Sequence, residues 1–137
     1  MLYLLDSNVV SELRKKANAN PGVREFFDSV NPDDLWLPVQ TMGELRRGVE
    51  NLRHRRDMAQ AQMLETWLLM LGRDFSDRIL GFDTDCAQVW GKLMAPNNQN
   101  PVDKQIAAIA LIHGMTVVTR NVRHFEGAGV AMHNPFR

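Results

Sequence analysis

Apolar residues in this chain recur with two different periods. Short runs at Leu2–Leu5, Leu35–Val39, Arg78–Phe82 and Met115–Thr119 have the length and composition of strands, and the first has no polar break, as expected of a strand covered on both faces. Between them the spacing is helical. Val9, Val10 and Leu13 follow the first run from about Asn8, and Val23, Phe26, Phe27 and Val30 predict a helix over Val23–Val30. Met42, Leu45, Val49 and Leu52 predict a helix over Thr41–Leu52, with Thr41 and Glu44 at capping-box spacing. Met58, Ala61, Leu64, Leu68 and Leu71 predict a longer one over Asp57–Leu71. Ala87, Val89, Trp90, Leu93 and Met94 follow the cap-type Asp83-Thr84-Asp85 segment, and Ile106, Ala107, Ala110 and Leu111 lie within a helix over Val102–His113.

Turn signals separate these elements: Asn20-Pro21-Gly22, Asn31-Pro32, the polar loop Pro96–Pro101, and Gly114. A last short strand is expected near Val130–Met132. Strands alternating with helices predict an α/β fold with a mainly parallel central sheet of four to five strands flanked by helices. Met63, Trp67 and Met70 widen the apolar face of the longer helix beyond what one small core covers, which suggests a subunit or partner interface beside the alternative of plain core.

With 137 residues, 45% of them hydrophobic, the chain is expected to form a single domain over residues 1–137 that buries about two thirds of its unfolded surface. The lone cysteine, Cys86, excludes an internal disulfide. No apolar run approaches the roughly 18 residues of a membrane span, and no targeting signal is read, so the expectation is a cytoplasmic protein with no membrane partner. Sixteen basic side chains balance sixteen acidic ones, but Arg46, Arg47, Arg53, His54, Arg55 and Arg56 crowd into one stretch. Such a stretch is either a solvated helix face or a contact for phosphate or an acidic protein surface.

Three carboxylates stand out by position. Asp6 ends the first strand, Glu44 opens the helix after the second, and Asp103 opens the helix before the fourth. In a parallel sheet the carboxyl ends of strands and the amino ends of the helices that follow them share one edge, so Asp6 and Glu44 are expected to meet there. Periodicity alone does not dictate that Asp103 joins them. Each also has a purely structural role open to it: a helix cap for Asp6, half of a capping box for Glu44, a favourable helix-start charge for Asp103.

The segments L-L-D-S-N-V-V-S-E-L (Leu4–Leu13), T-M-G-E-L-R-R-G (Thr41–Gly48), D-K-Q-I-A-A-I-A-L (Asp103–Leu111), V-V-T-R-N (Val117–Asn121) and N-P-F (Asn134–Phe136) are distributed from near one end of the chain to near the other. In order and spacing they resemble PIN-domain ribonucleases of the VapC and FitB type, the toxins of toxin-antitoxin pairs. That resemblance implies a three-layer α/β/α fold and an endoribonuclease that uses Mg²⁺ or Mn²⁺. It implies metal ligands at Asp6, Glu44 and Asp103, a cognate antitoxin, an RNA substrate, and a homodimer within a larger toxin-antitoxin assembly. A fourth acidic position, common after the last core strand in such chains, is held here by Asn121 and His124.

Hard oxygen ligands suit Mg²⁺ or Mn²⁺, and a cation would reverse a charge that otherwise repels a phosphodiester. On this reading Asp6 and Asp103 are the main ligands, and Glu44 ligates through water or serves as base. Asn121, with Thr119 beside it, positions water or phosphate. Arg46, Arg47, Arg53 and Arg55 are the expected contacts to RNA or antitoxin. One rival is a catalytically weak PIN-fold module that binds RNA or a protein partner. Another is a phosphatase or phosphoacceptor with Asp6 as nucleophile; against it, Asn8 stands where a D-x-D pair needs its second acid. The four histidines show no zinc-ligand spacing, and no phosphate-binding glycine motif is present.

Overall fold

The computed structural model describes residues 1–137. Strands β1 (Tyr3–Leu5), β2 (Leu35–Pro38), β3 (Ile79–Leu80), β4 (Thr116–Val118) and β5 (Met132–His133) form one sheet in the order β3-β2-β1-β4-β5. Every neighbouring pair is parallel. Six helices flank it: α1 (Ser7–Leu13), α2 (Pro21–Ser29), α3 (Val39–His54), α4 (Met58–Asp74), α5 (Thr84–Met94) and α6 (Pro101–His113). The alternation of periods predicts this parallel sheet flanked by helices, and the family resemblance implies its three-layer α/β/α form. No helix is long and apolar enough to cross a membrane.

β1 is the central strand, with Tyr3 in register with both Leu35 and Thr116. Its pleat divides the core in two. Leu5 joins Leu35, Leu37 and Val118 under Val9, Val23, Leu45, Val49 and Leu68 from helices α1 to α4. Leu4 and Val117 face the opposite way, under Ile106, Ala107, Ile109 and Ala110 of α6 and Cys86 of α5. The small side chains of Ala107 and Ala110 let α6 lie close to the strands. A strand buried on both faces has no reason to alternate, which is why Leu2–Leu5 reads as an unbroken apolar run.

Several boundaries differ from the periodicity. α2 starts at Pro21 and ends at Ser29, because Asn20 caps it by accepting from the Gly22 backbone N–H at 3.0 Å. Gly22 also has a packing role, since a Cβ there would collide with the Pro135 carbonyl and the Arg137 side chain of the C-terminal tail. β3 shrinks to Ile79–Leu80. β5 falls at Met132–His133, while Val130 turns into the α6 core.

The capping box is absent. α3 begins at Val39 with Pro38 at its N-cap and no side-chain cap, so Thr41 is already inside the helix and Glu44 lies beyond its first turn. Thr41 is fully buried, and its hydroxyl donates to the Leu5 carbonyl at 2.8 Å, tying α3 to the central strand.

The basic stretch is partly engaged within the chain. Arg46 Nη1 meets Glu65 Oε2 at 2.5 Å, while Arg53 meets Glu65 Oε1 at 2.6 Å and Glu50 at 2.5 Å, so these two arginines tie α3 to α4. Hydrogen bonds from both guanidinium groups hold the Glu65 carboxyl below its usual range. Arg47 and Arg55 form no ion pair and remain exposed. On α4, Trp67 packs against the core, whereas Met63, Leu69 and Met70 stand more than half exposed.

Replacing Thr41 by Val keeps the shape and removes the hydroxyl's bond to Leu5. The expected loss is about 1 kcal/mol, measured as a lower urea midpoint with an unchanged m-value.

Candidate active site

The chain leaves β1 toward β2 on one side and leaves β4 toward β5 on the other. The two connections diverge, which opens a crevice at the carboxyl ends of β1 and β4. Asp6 follows β1 directly and is 2% exposed, with no cationic partner among the ion pairs of the structure. Hydrogen bonds hold it instead. Asp6 Oδ1 caps α1 by accepting from the Ser7 backbone N–H at 2.8 Å, and Oδ2 accepts from the Thr119 hydroxyl at 2.8 Å and from Asn8 Nδ2 at 3.3 Å.

Asn8 links the two strand ends, since its Oδ1 accepts from the Arg120 backbone N–H at 3.1 Å. Thr119 is fully buried and has further partners: its oxygen accepts from the Asn121 backbone N–H at 3.0 Å and from Asn8 at 3.4 Å. Thr119, expected beside Asn121 as a group that positions water or phosphate, donates its hydroxyl hydrogen to Asp6. Its hydroxyl is committed to Asp6 and lies behind the site.

A cavity of about 280 Å³ opens here, lined by Asp6, Glu44, Asp103, Asn121 and His124 together with Ser7, Asn8 and the start of α6. Asp103 reaches this edge because α6 runs antiparallel to the strands. Its amino end therefore lies over their carboxyl ends, although the helix precedes β4. His124, from the turn Val122–Phe125, meets Asp103 Oδ2 through Nδ1 at 2.8 Å. Asn121 lines the cavity. Ser7, Asn8 and His124 are site residues that sequence reasoning passed over. The first two looked like ordinary cap residues, and His124 registered only as the absence of an acid.

The acids act on one another. Burial pushes the Asp6 carboxyl above its usual range, and the charge of Asp103 adds to this against the Thr119, Ser7 and Asn8 hydrogen bonds. Glu44 sits at the rim, where partial desolvation and then the charges of Asp6 and Asp103 push it up as well, against the Ser7 hydroxyl and then Arg47. Asp6 feels the charge of Asp103, and Glu44 feels the charges of both, so the three share one electrostatic site.

The donor set is therefore hard oxygen in excess negative charge, which fits Mg²⁺ or Mn²⁺. No three acidic or histidine side chains close into a ready-made coordination shell.

The family profile described as PIN domain matches residues 3–129. The chain belongs to the PIN-domain family. This PIN domain is 34% identical to the toxin FitB of Neisseria gonorrhoeae over 98% of the chain and 99% of that protein. It is 33% identical to the VapC ribonuclease Y4jK of Sinorhizobium fredii, with 98% of each covered. Its backbone superposes on the crystal structure of FitAcB from Neisseria gonorrhoeae with a TM-score of 0.87, at 32% identity and 98% coverage of both chains.

In the metal-free protein the raised Asp6 pKa means that the folded state holds its proton to higher pH than the unfolded one. The fold is therefore penalised progressively as pH rises from the ordinary aspartate value of 3.8 through the raised one, and is free of the penalty below both. Asp6→Asn retains a side-chain oxygen to cap α1 and is expected to melt at an equal or higher temperature at neutral pH without metal. That advantage should vanish in acid, as followed by calorimetry across pH.

Proposed function

We propose that this PIN domain is a metal-dependent endoribonuclease, the toxin of a toxin-antitoxin pair, using Mg²⁺ or Mn²⁺ with Asp6 and Asp103 as the main ligands and Glu44 beside them as base. The observation that carries this reading is the convergence of three mutually repelling carboxylates from distant segments on one crevice. The ribonuclease and toxin relatives, matched over nearly their whole length, support it.

A divalent ion bound there supplies the positive charge that lets an anionic phosphodiester approach and makes a water acidic enough to attack. The chain's own residues do the rest. Ser7 and Thr119 lock Asp6 in one orientation, so its ligating geometry is set before substrate arrives. Glu44, exposed at the rim, takes the proton of the attacking water as its oxygen bonds to phosphorus and the bond to the departing ribose oxygen breaks. The Asn121 amide donates to the phosphate or its water without adding negative charge.

Arg47 and Arg55 remain the candidates for steering RNA or meeting an acidic antitoxin, whereas Arg46 and Arg53 act within the fold. The exposed face of α4 that carries Met63 and Met70 is the surface this reading assigns to protein contacts, in a homodimer or with the antitoxin.

Purified protein is expected to cleave a structured RNA with Mg²⁺ or Mn²⁺ and to lose the activity in EDTA. Asp6→Asn and Asp103→Asn should each lower the rate by about a thousand-fold, the equivalent of several kcal/mol at the transition state. RNA binding that is indifferent to chelator and gives no cleavage would point instead to a binding module. The double variant Arg47→Glu, Arg55→Glu is expected to weaken RNA binding and flatten its dependence on salt, read from the slope of log affinity against log salt.

A further inference from the structure

The mechanism above accounts for Asp6 but leaves Asp103 without an orienting partner except one. His124 Nδ1 lies 2.8 Å from Asp103 Oδ2, and an ionised carboxylate only accepts, so Nδ1 is the donor. The two residues come from different elements, α6 and the turn after β4. Both line the cavity. Phe125, next along the chain, is fully buried in the α6 core, which anchors the turn that carries His124.

We propose that His124 is a positioning residue: its Nδ1–H, bonded to Oδ2, holds the Asp103 carboxylate in one orientation at the cavity, where it would ligate a divalent ion. Asp6 has three donors that fix it, two of them on one oxygen. Asp103 has the imidazole alone among side chains, so its ligating geometry depends on that single bond. The imidazole fills this role without adding a negative charge to a site that already carries three carboxylates. Partners that orient metal ligands in this way typically contribute ten- to a hundred-fold in metal affinity.

This inference rests on the metal-dependent reading, and the test separates the two. Mn²⁺ binding to the full chain is measured by calorimetry and by loss of the free-ion paramagnetic resonance signal, without RNA, alongside the thermal midpoint of each metal-free protein. His124→Ala is expected to raise the Mn²⁺ Kd by about ten- to a hundred-fold while leaving the metal-free midpoint unchanged. His124→Asn, whose amide N–H can take the place of Nδ1–H but which lacks the second ring nitrogen, should restore most of the affinity. Unchanged affinity in His124→Ala would overturn the positioning role, as would a His124→Asn protein no better than His124→Ala, which would make the second ring nitrogen a ligand itself. Failure of the wild-type protein to bind Mn²⁺ would overturn the metal-dependent reading and this inference with it.

Discussion

A buried carboxylate with no positive group to answer it is the constraint around which this domain is built. Asp6 ends the central strand almost wholly out of water, and the fold meets its hydrogen-bonding demand with a backbone N–H, a hydroxyl and an amide. Those neutral donors make burial tolerable but leave the charge in place, which is why its carboxyl is pushed up despite them. Asp103 and Glu44 then compound the problem. A site kept this acidic by its own architecture is poised for a cation, and the energy withheld from the empty fold is available to binding.

The sheet topology makes that arrangement possible. Placing β1 between β2 and β4 lets the chain depart in opposite directions from adjacent strand ends, so no connection crosses the crevice. Helices α3 and α6 both direct their amino ends to that edge from opposite layers, bringing Glu44 and Asp103 to the same cavity. The bond from Thr41 to Leu5 fixes α3 to the residue immediately before Asp6, so the strand that carries one acid also anchors the helix that carries another. Positioning by buried contacts, rather than by loops, gives the acids a rigid footing.

Charge away from the crevice serves a different purpose. Arg46, Arg53, Glu50 and Glu65 form a connected group across α3 and α4, and networks of this kind hold helices in register better than isolated surface pairs. The basic character of that segment is thus divided between internal ties and the two arginines that remain free. His124 and Asn121 line the cavity beside the acids, and the Asn121 amide adds polarity there without negative charge.

Much of this was legible along the chain. Hydrophobic period and turn chemistry act over a few residues, so they determined the alternation of strands and helices, the buried central strand, the placement of Asp6 at its end and of Asp103 in the first turn of α6. The motif order was enough to indicate the family. What only the tertiary structure decided depends on contacts between distant segments: Thr41 reaching back 36 residues to Leu5, Thr119 closing on Asp6 across 113, Arg46 crossing 19 to Glu65, and His124 meeting Asp103 across 21. Thr41 shows the difference most directly. Its spacing to Glu44 satisfied a local capping rule, yet a buried carbonyl on the central strand was the better partner for its hydroxyl. Local spacing proposes partners within a turn or two, whereas burial decides which distant groups lose water together and must satisfy one another.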